Sequence, residues 1–310
     1  MTQNNIDSRH GTTNTVGRDQ INTYYTYVPG YSNQQPLALS FNDAPTDLLS
    51  THFTGREKEL DDIETIFRTI RGNAPTRCAV HGMPGIGKTQ AVLRFAQSRY
   101  NQQQYSLVFW ISGATVEKLN QGFAKVLTLV GHPDYSNLDQ SVRLTSARRW
   151  LEEPNLNGPG PCRWLLVLDN VSQEAVGFLR EHLPRRNSSG NILFTTRTRA
   201  IAEAITAVAG EQHQISELGI PSLEHAANQF LKEAGIDYID AVSASTGGAE
   251  ALVKCIGRLP LAISHAASFA KQSHKHLDDV LGLYQSKHKY DVGFSYSVIV
   301  YGGGAHGLGR

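Results

Sequence analysis

Apolar and polar positions divide the chain into four stretches. Residues 1–48 are rich in Asn, Gln, Thr, Ser and Tyr and show no helical period. From residue 49 to about 215, short apolar runs such as residues 107–111 alternate with amphipathic segments of helical spacing. Residues 216–288 carry only helical periodicity, and residues 289–310 are irregular and rich in glycine.

Each stretch predicts a different structure. Continuous apolar runs are typical of strands buried on both faces, and their alternation with helices predicts a parallel sheet with flanking helices over residues 49–215. Residues 216–288 predict a small helical subdomain. The polar stretch 1–48 predicts a disordered or β-prone tail, and 289–310 an irregular C-terminal tail.

A glycine-rich segment at residues 82–89 lies between a predicted strand and a predicted helix. Gly82, Gly85 and Gly87 allow the backbone to turn tightly, so that several amides can converge on phosphate oxygens. Lys88 is placed to reach the β and γ phosphates, Thr89 supplies a hydroxyl for Mg²⁺, and the helix directs its N-terminal dipole at the anion. The sequence therefore predicts a nucleotide-binding P-loop and the α/β fold of a P-loop NTPase.

Two later strands end in residues of complementary chemistry. The apolar run 164–168 ends in Asp169 and Asn170, and a carboxylate at that position joins the magnesium shell of a P-loop nucleotide. Thr89 and Asp169 are thus the predicted Mg²⁺ ligands. A strand over residues 191–197 ends in Arg197, which is placed to reach the γ-phosphate because ligands of open α/β sheets bind at the carboxyl ends of strands. The alternative for Arg197 is a surface arginine in a turn.

Composition and charge exclude several other classes. The formal charge is +1, from 29 basic and 28 acidic residues among 310, so nothing global favours a nucleic-acid or membrane partner. Three scattered cysteines form no disulfide framework and no zinc spacing, and no apolar run approaches a membrane span. We expect a cytoplasmic protein whose metal is the Mg²⁺ of a nucleotide.

Within the N-terminal stretch, residues 14–28 mix β-branched and aromatic residues with Asn, Gln and Gly. This composition can stack into cross-β ladders. Two interpretations stay open, which are a disordered tail and a segment for self-association or for binding a signalling partner.

Several motifs occur in an order that resembles the NB-ARC family of signal-transduction P-loop ATPases, the nucleotide switches of plant immune receptors, apoptotic activators and many fungal proteins. They lie at residues 53–57, 82–89, 108–112, 166–170, 195–197 and 257–262. In the same order, these segments are similar to six features of the family: the motif near the adenine, Walker A, the following strand, Walker B, the sensor arginine strand and the G-x-P-L-A motif. The resemblance covers about residues 50 to 285.

The resemblance implies ADP or ATP as ligand, with Mg²⁺, and it implies roles for particular residues. Asp169, Asn170 and Arg197 would hold the catalytic positions. The nucleotide itself would be bound by Phe53, Arg56, Gly82, Gly85, Ile86, Gly87, Lys88, Thr89, Gln90 and Pro260.

Two departures from the family pattern matter. Asn170 stands where many members have a second acidic residue, and a neutral amide can orient water but cannot accept its proton, so we expect slow hydrolysis or none. The chain also ends before the family's winged-helix subdomain, and residues 291–310 look unlike one. We interpret the chain as a fungal-type, NLR-like protein that is truncated after its first helical subdomain.

Three functions are compatible with these residues. The leading hypothesis is a regulatory switch in signalling or innate-immunity-like responses, in which ADP keeps a closed form and ATP opens it. The alternatives are a turnover P-loop ATPase and a non-catalytic assembly scaffold driven by the N-terminal tail.

Overall fold

The computed structural model describes residues 39–69, 72–154, 162–207, 214–236, 246–273 and 277–290, with side chains described up to residue 285 except at Thr246. The predicted tail over residues 1–38, including the segment 14–28, lies outside the described residues. So do the proline- and glycine-rich segment 155–161 and residues 291–310.

Strands and helices alternate along the chain until a run of helices begins. The strands are β1 (Phe41–Asn42), β2 (Thr76–His81), β3 (Leu107–Ser112), β4 (Trp164–Val171), β5 (Gly190–Thr196) and β6 (Ile215–Glu217). The helices are α1 (Glu57–Thr69), α2 (Lys88–Asn101), α3 (Val116–Leu129), α4 (Gln140–Glu152), α5 (Ala175–His182), α6 (Arg199–Thr206), α7 (Leu223–Ala234), α8 (Thr246–Cys255), α9 (Pro260–Ser273) and α10 (Leu277–Tyr290).

All six strands pair in parallel in a single sheet, in the order β1-β3-β4-β5-β2-β6. The apolar runs of β3 and β4 are buried because helices cover both faces. One core cluster packs α3 to α6 against one face, and a second packs α1 and α2 against the other. This confirms the predicted α/β fold with flanking helices.

The strand order decides which residues meet. β5 lies between β2, which leads into the P-loop, and β4, which ends near Asp169. Parallel strands bring their carboxyl ends to the same edge of the sheet, so the ends of these three strands meet there. Three sequence-distant segments therefore converge at one site.

Helices α7 to α10 form a separate small core, which we call the helical subdomain; the sheet with α1 to α6 is the P-loop domain. Ser222 caps α7 by accepting the His225 amide, and Pro260 occupies the first position of α9, as the sequence predicts. Alanines and larger apolar residues of these helices pack together around Phe230. None of the helices in the described ranges is long and apolar enough to cross a membrane.

Some elements differ from the sequence-based expectation. Residues 39–48, predicted as tail, contain β1, which pairs with β3 at the sheet edge. Asp43 anchors this segment, because its carboxylate accepts the Trp110 amide and pairs with Lys125 at 2.6 Å. β6 is three residues long, and α10 extends to Tyr290, two residues beyond the predicted end of the helical subdomain at residue 288. Strands this short carry no readable period, so their pairing depends on neighbours distant in sequence.

Candidate functional site: a P-loop at the edge of the sheet

The segment between β2 and α2 has the backbone of an anion-binding loop. Gly87 caps α2 in the left-handed conformation (φ 93°), and as a glycine it offers no side-chain oxygen to the first amides of the helix. The first turn of α2 also carries no acidic residue. Those amides and the helix dipole thus suit a phosphate group.

Gly82 is required by a close approach. A Cβ built at this position would lie 2.7 Å from the carbonyl oxygen of Leu218, so a larger residue would displace either the loop or the segment after β6. The loop is therefore packed directly against the chain that leaves β6.

Lys88 extends over the loop. Its ammonium donates to the carbonyls of Gly82 at 2.8 Å and Met83 at 3.0 Å. Burial, followed by the positive charge of Arg197, lowers the pKa of Lys88, while Asp169 opposes the shift. The structure thus brings Arg197 and Asp169 within electrostatic range of Lys88, and an anion bound here would offset the desolvation.

Three residues from separate elements meet at the carboxyl end of β4. Thr89 donates to Asp169 Oδ1 at 3.0 Å, and Thr195, from β5, donates to the same oxygen at 2.6 Å. Thr195 also accepts the Asn170 amide at 2.7 Å. The pairing of β4 with β5 shifts register between Leu168 and Val171, and Asn170 is left-handed at φ 58°. Asp169 thus contacts Thr89 at an irregularity in the strand pairing.

The donors at this point fit magnesium. A threonine hydroxyl and a carboxylate are hard oxygen ligands, and Mg²⁺ is commonly held by one or two protein groups together with phosphate oxygens and water. In the described ranges no group of three or more His, Cys, Asp or Glu side chains converges as a metal site. A cation at this edge would therefore depend on Thr89, Asp169 and the nucleotide's own oxygens.

Asn170 and Arg197 lie at the exposed rim of the site. Asn170 follows Asp169, and Arg197 follows the end of β5. Both positions suit contact with a terminal phosphate or a water beside it. The structure thus brings the predicted catalytic residues to the same edge of the sheet as the P-loop.

On the other side of the loop, Gln90 and Arg56 are bound to main chain. The Gln90 amide accepts from the Ser50 amide at 2.7 Å and donates to the Leu48 carbonyl at 2.8 Å. Arg56 donates to the carbonyl of Ile86 at 3.3 Å. Phe53, whose amide donates to the Ser50 carbonyl, packs against the core beneath the P-loop. Gln90 and Arg56 therefore position the segment around Phe53 against the loop.

The helical subdomain contacts the P-loop directly. The Leu261 amide, in the first turn of α9, donates to the Gly85 carbonyl at 3.2 Å. The Pro260 ring lies 3.8 Å from the position of a Gly87 Cβ. His225 of α7 lies over Gly55, with its Nδ1 3.1 Å from the position of a Cβ there. The site is thus bounded by both domains, as the motif at 257–262 suggested.

Sequence reasoning missed the roles of Thr195, Leu261 and His225. The first two stand inside motifs that the sequence did reveal, so their positions were identified but not their partners. His225 carries no motif, and its proximity to Gly55 depends on how α7 packs.

Together, the left-handed glycine loop, the lysine over it and the Thr89–Asp169 pair define a P-loop NTPase. The NB-ARC domain family matches residues 58–233, more than half of the chain. The chain belongs to the NB-ARC family, whose members are nucleotide-binding signalling modules of the STAND class of P-loop NTPases.

A fungal relative and two solved structures are similar to this chain. A nucleotide-binding leucine-rich repeat (NLR)-like protein of Hyaloscypha variabilis is 28% identical over 254 residues, which cover 76% of this chain and 24% of that protein. The Walker-type ATPase of Pyrococcus abyssi superposes with a TM-score of 0.51 at 10% identity, covering 77% of this chain and 73% of the other. A chain of Drosophila ORC bound to DNA gives 0.52 at 13%, covering 84% and 70%. At these identities the two structures show the fold alone.

Proposed function

We propose that the chain is an adenine-nucleotide switch, in which ADP bound between the P-loop domain and the helical subdomain holds a closed arrangement and ATP favours a different one. The observation that carries the proposal is the hydrogen bond from the Leu261 amide to the Gly85 carbonyl. A P-loop that shifts around a γ-phosphate would alter this bond, which would link nucleotide state to the position of the subdomain.

The nucleotide contacts follow from the geometry. Phosphates would be bound by the amides at the start of α2 and by Lys88, and Thr89 and Asp169 would hold Mg²⁺. Bound Mg²⁺ would supply charge neutralisation for the β and γ phosphates. The region assigned to the ribose and adenine is bordered by Pro260 and by the segment that carries Phe53 and Arg56. Specificity for adenine rests on the family's pattern at these positions.

Slow hydrolysis is part of the proposal. A general base must accept a proton from the attacking water, and Asn170 offers a neutral amide at the rim position beside Asp169. Asp169 is engaged by Thr89 and Thr195 and is assigned to the metal. The chain would therefore hold its nucleotide for long periods, as a regulatory switch requires, and would act in signalling of the innate-immunity type.

Residues 14–28 enter this proposal from their composition alone, as a segment for self-association of the ATP-bound chain. A chain that lacks residues 1–38 retains β1 and the other strands of the described ranges, and it provides the test. The truncated chain should bind nucleotide normally and fail to assemble with ATP. Assembly that persists unchanged would remove the segment from the proposal.

The first test is to denature freshly purified protein and identify the nucleotide released, with Lys88→Met as control. We expect close to one ADP for each wild-type chain and none for the variant. An empty wild-type site with rapid ATP turnover would favour a turnover ATPase. An empty site with no turnover, together with assembly, would favour a scaffold.

A further inference from the structure

Two Gly-Arg pairs adopt the same unusual backbone. Gly55 and Arg56 have φ values of 74° and 73°, and Gly257 and Arg258 have 72° and 56°. The left-handed region is unfavourable for a residue with a Cβ, so each arginine is held there by contacts elsewhere. The contacts of the two side chains show what holds them.

Both arginines donate to the chain that joins the two domains. Arg56 Nη1 lies 2.8 Å from the Gly219 carbonyl oxygen, and Arg258 Nη1 lies 3.2 Å from that of Pro221. These carbonyls belong to residues 218–222, which connect β6 to α7 and which we call the linker. Arg56 precedes α1 in the P-loop domain, and Arg258 lies in the turn between α8 and α9. The linker is thus held by one arginine from each domain.

Arg56 also contacts the P-loop. The same guanidinium donates to the Ile86 carbonyl at 3.3 Å and to Glu59 at 2.7 Å, and its side chain is 10% exposed. One planar group therefore bonds to the P-loop and to the linker at once. The side chain of Arg56 thus connects the P-loop at Ile86 to the linker at Gly219, so a change in loop conformation would alter the contact with the linker.

Burial does not explain the position of the linker beyond Leu218. Leu218 is 3% exposed, but Gly219 is exposed and Ile220 is 46% exposed. After Leu218, the linker leaves the core before it enters α7. Hydrogen bonds from charged donors are stronger than neutral ones and suit this position, where little apolar surface is buried.

We propose that Arg56 and Arg258 are positioning residues that lock the linker, and that Arg56 couples this lock to the nucleotide held by the P-loop. The lock deepens the proposed switch and rests on it for its nucleotide dependence. The lock itself rests only on the hydrogen bonds of the two arginines to the linker. Releasing either arginine should let the linker move more freely about residues 219–221.

The test uses Arg258→Gly in the full chain. Glycine accepts the left-handed backbone at this position, so the variant loses the guanidinium without new strain. Arg258→Lys retains a charged donor and serves as the conservative variant. Arg199→Ala is the matched control, since Arg199 is an exposed arginine whose partner is Glu203 on its own helix.

The first readout is amide hydrogen exchange over residues 214–236 in protein stripped of nucleotide. Arg258→Gly should exchange about tenfold faster in this segment, with Arg258→Lys between it and the wild type, because a bond from a charged donor is lost. Arg199→Ala should match the wild type. Wild-type exchange in Arg258→Gly would overturn the lock.

The second readout is the kinetics of a fluorescent ADP. Arg258→Gly should release it about tenfold faster with an unchanged association rate, because the lock acts after the nucleotide has bound. Faster linker exchange with an unchanged release rate would overturn the coupling. A wild type that takes up no adenine nucleotide would defeat the proposed switch instead, and the nucleotide-free exchange would still decide the lock.

Discussion

The hydroxyl of Thr195 donates a hydrogen bond to Asp169 Oδ1 at 2.6 Å. Thr195 is 1% exposed, and its strand, β5, lies between the P-loop strand and the strand that ends near Asp169. The carboxylate that is proposed to hold Mg²⁺ is therefore oriented by a buried residue of the neighbouring strand.

Replacing Thr195 with Val should weaken magnesium-dependent binding of ATP by about tenfold, as loss of an orienting partner does at other metal sites. Mg²⁺ titration of ATP binding measures the effect. Thr196→Val is the matched control, because Thr196 is equally buried but donates to the Val171 carbonyl. Equal magnesium dependence in both variants would contradict an orienting role for Thr195.

Lys88→Met should weaken binding of ADP and ATP by about 100-fold, because the charged contacts to phosphate are lost. The nucleotide-free variant should melt no lower than the wild type. Burial lowers the pKa of Lys88 below 10.5, so the charged form is disfavoured in the folded state.

The stability of the wild type should rise with pH in the range where Lys88 titrates. Between the lowered pKa and 10.5 the unfolded chain binds more protons at Lys88, so raising the pH through this window favours folding. The difference in free energy of unfolding between Lys88→Met and the wild type, which we call the stability gap, should therefore become smaller as pH approaches 10.5. Thermal melts of nucleotide-free protein from pH 7 to 10.5 measure the gap, and a gap that widens would contradict the assignment.

Asn170→Asp should raise ATP turnover by about 10²-fold, because it introduces a proton acceptor beside the proposed position of the γ-phosphate. Aspartate tolerates the left-handed backbone at this residue, so the fold should be unaffected. Single-turnover hydrolysis of ATP is the measurement. Asn170→Gly keeps the backbone without a base and should show no gain. Rapid turnover in the wild type would refute the role given to the amide.

Gln90→Ala should weaken ADP binding by about fivefold, since the segment that carries Phe53 loses two hydrogen bonds to the P-loop helix. Binding of tripolyphosphate, which has no base, should be unchanged. Competition of both ligands against a fluorescent ADP separates the two effects. Gln102→Ala, an exposed change at the other end of α2, is the control. An equal loss for both ligands would place Gln90 at the phosphates instead.

Much of the site could be predicted because its signals are contiguous. Gly82 to Thr89 form one short segment whose residue types are dictated by phosphate, and an apolar run that ends in Asp169 marks the end of a buried strand. The helix starts at Ser222 and Pro260 were also readable, because capping depends on residues within one turn.

Other features could not be predicted, since they join residues distant in sequence. Arg56 and Gly219 are 163 residues apart, and nothing in either segment indicates the other. The two residues of β1 and the three of β6 gain their structure from the strands beside them. Gln90 was expected at the nucleotide, and its amide is bonded to the main chain at Leu48 and Ser50; direct contact of Gln90 with nucleotide stays a prediction.

By itself, the sequence predicted the α/β fold of a P-loop NTPase and proposed the residues for phosphate and magnesium, because periodicity and phosphate chemistry act over a few neighbouring residues. The order of its motifs added the resemblance to the NB-ARC family. Only the tertiary structure decided that Thr195 orients Asp169, that Leu261 bonds to the P-loop, and that two arginines hold the linker. Strand order and domain packing set these contacts, and both result from burying apolar surface shared by the whole chain, which no local segment encodes.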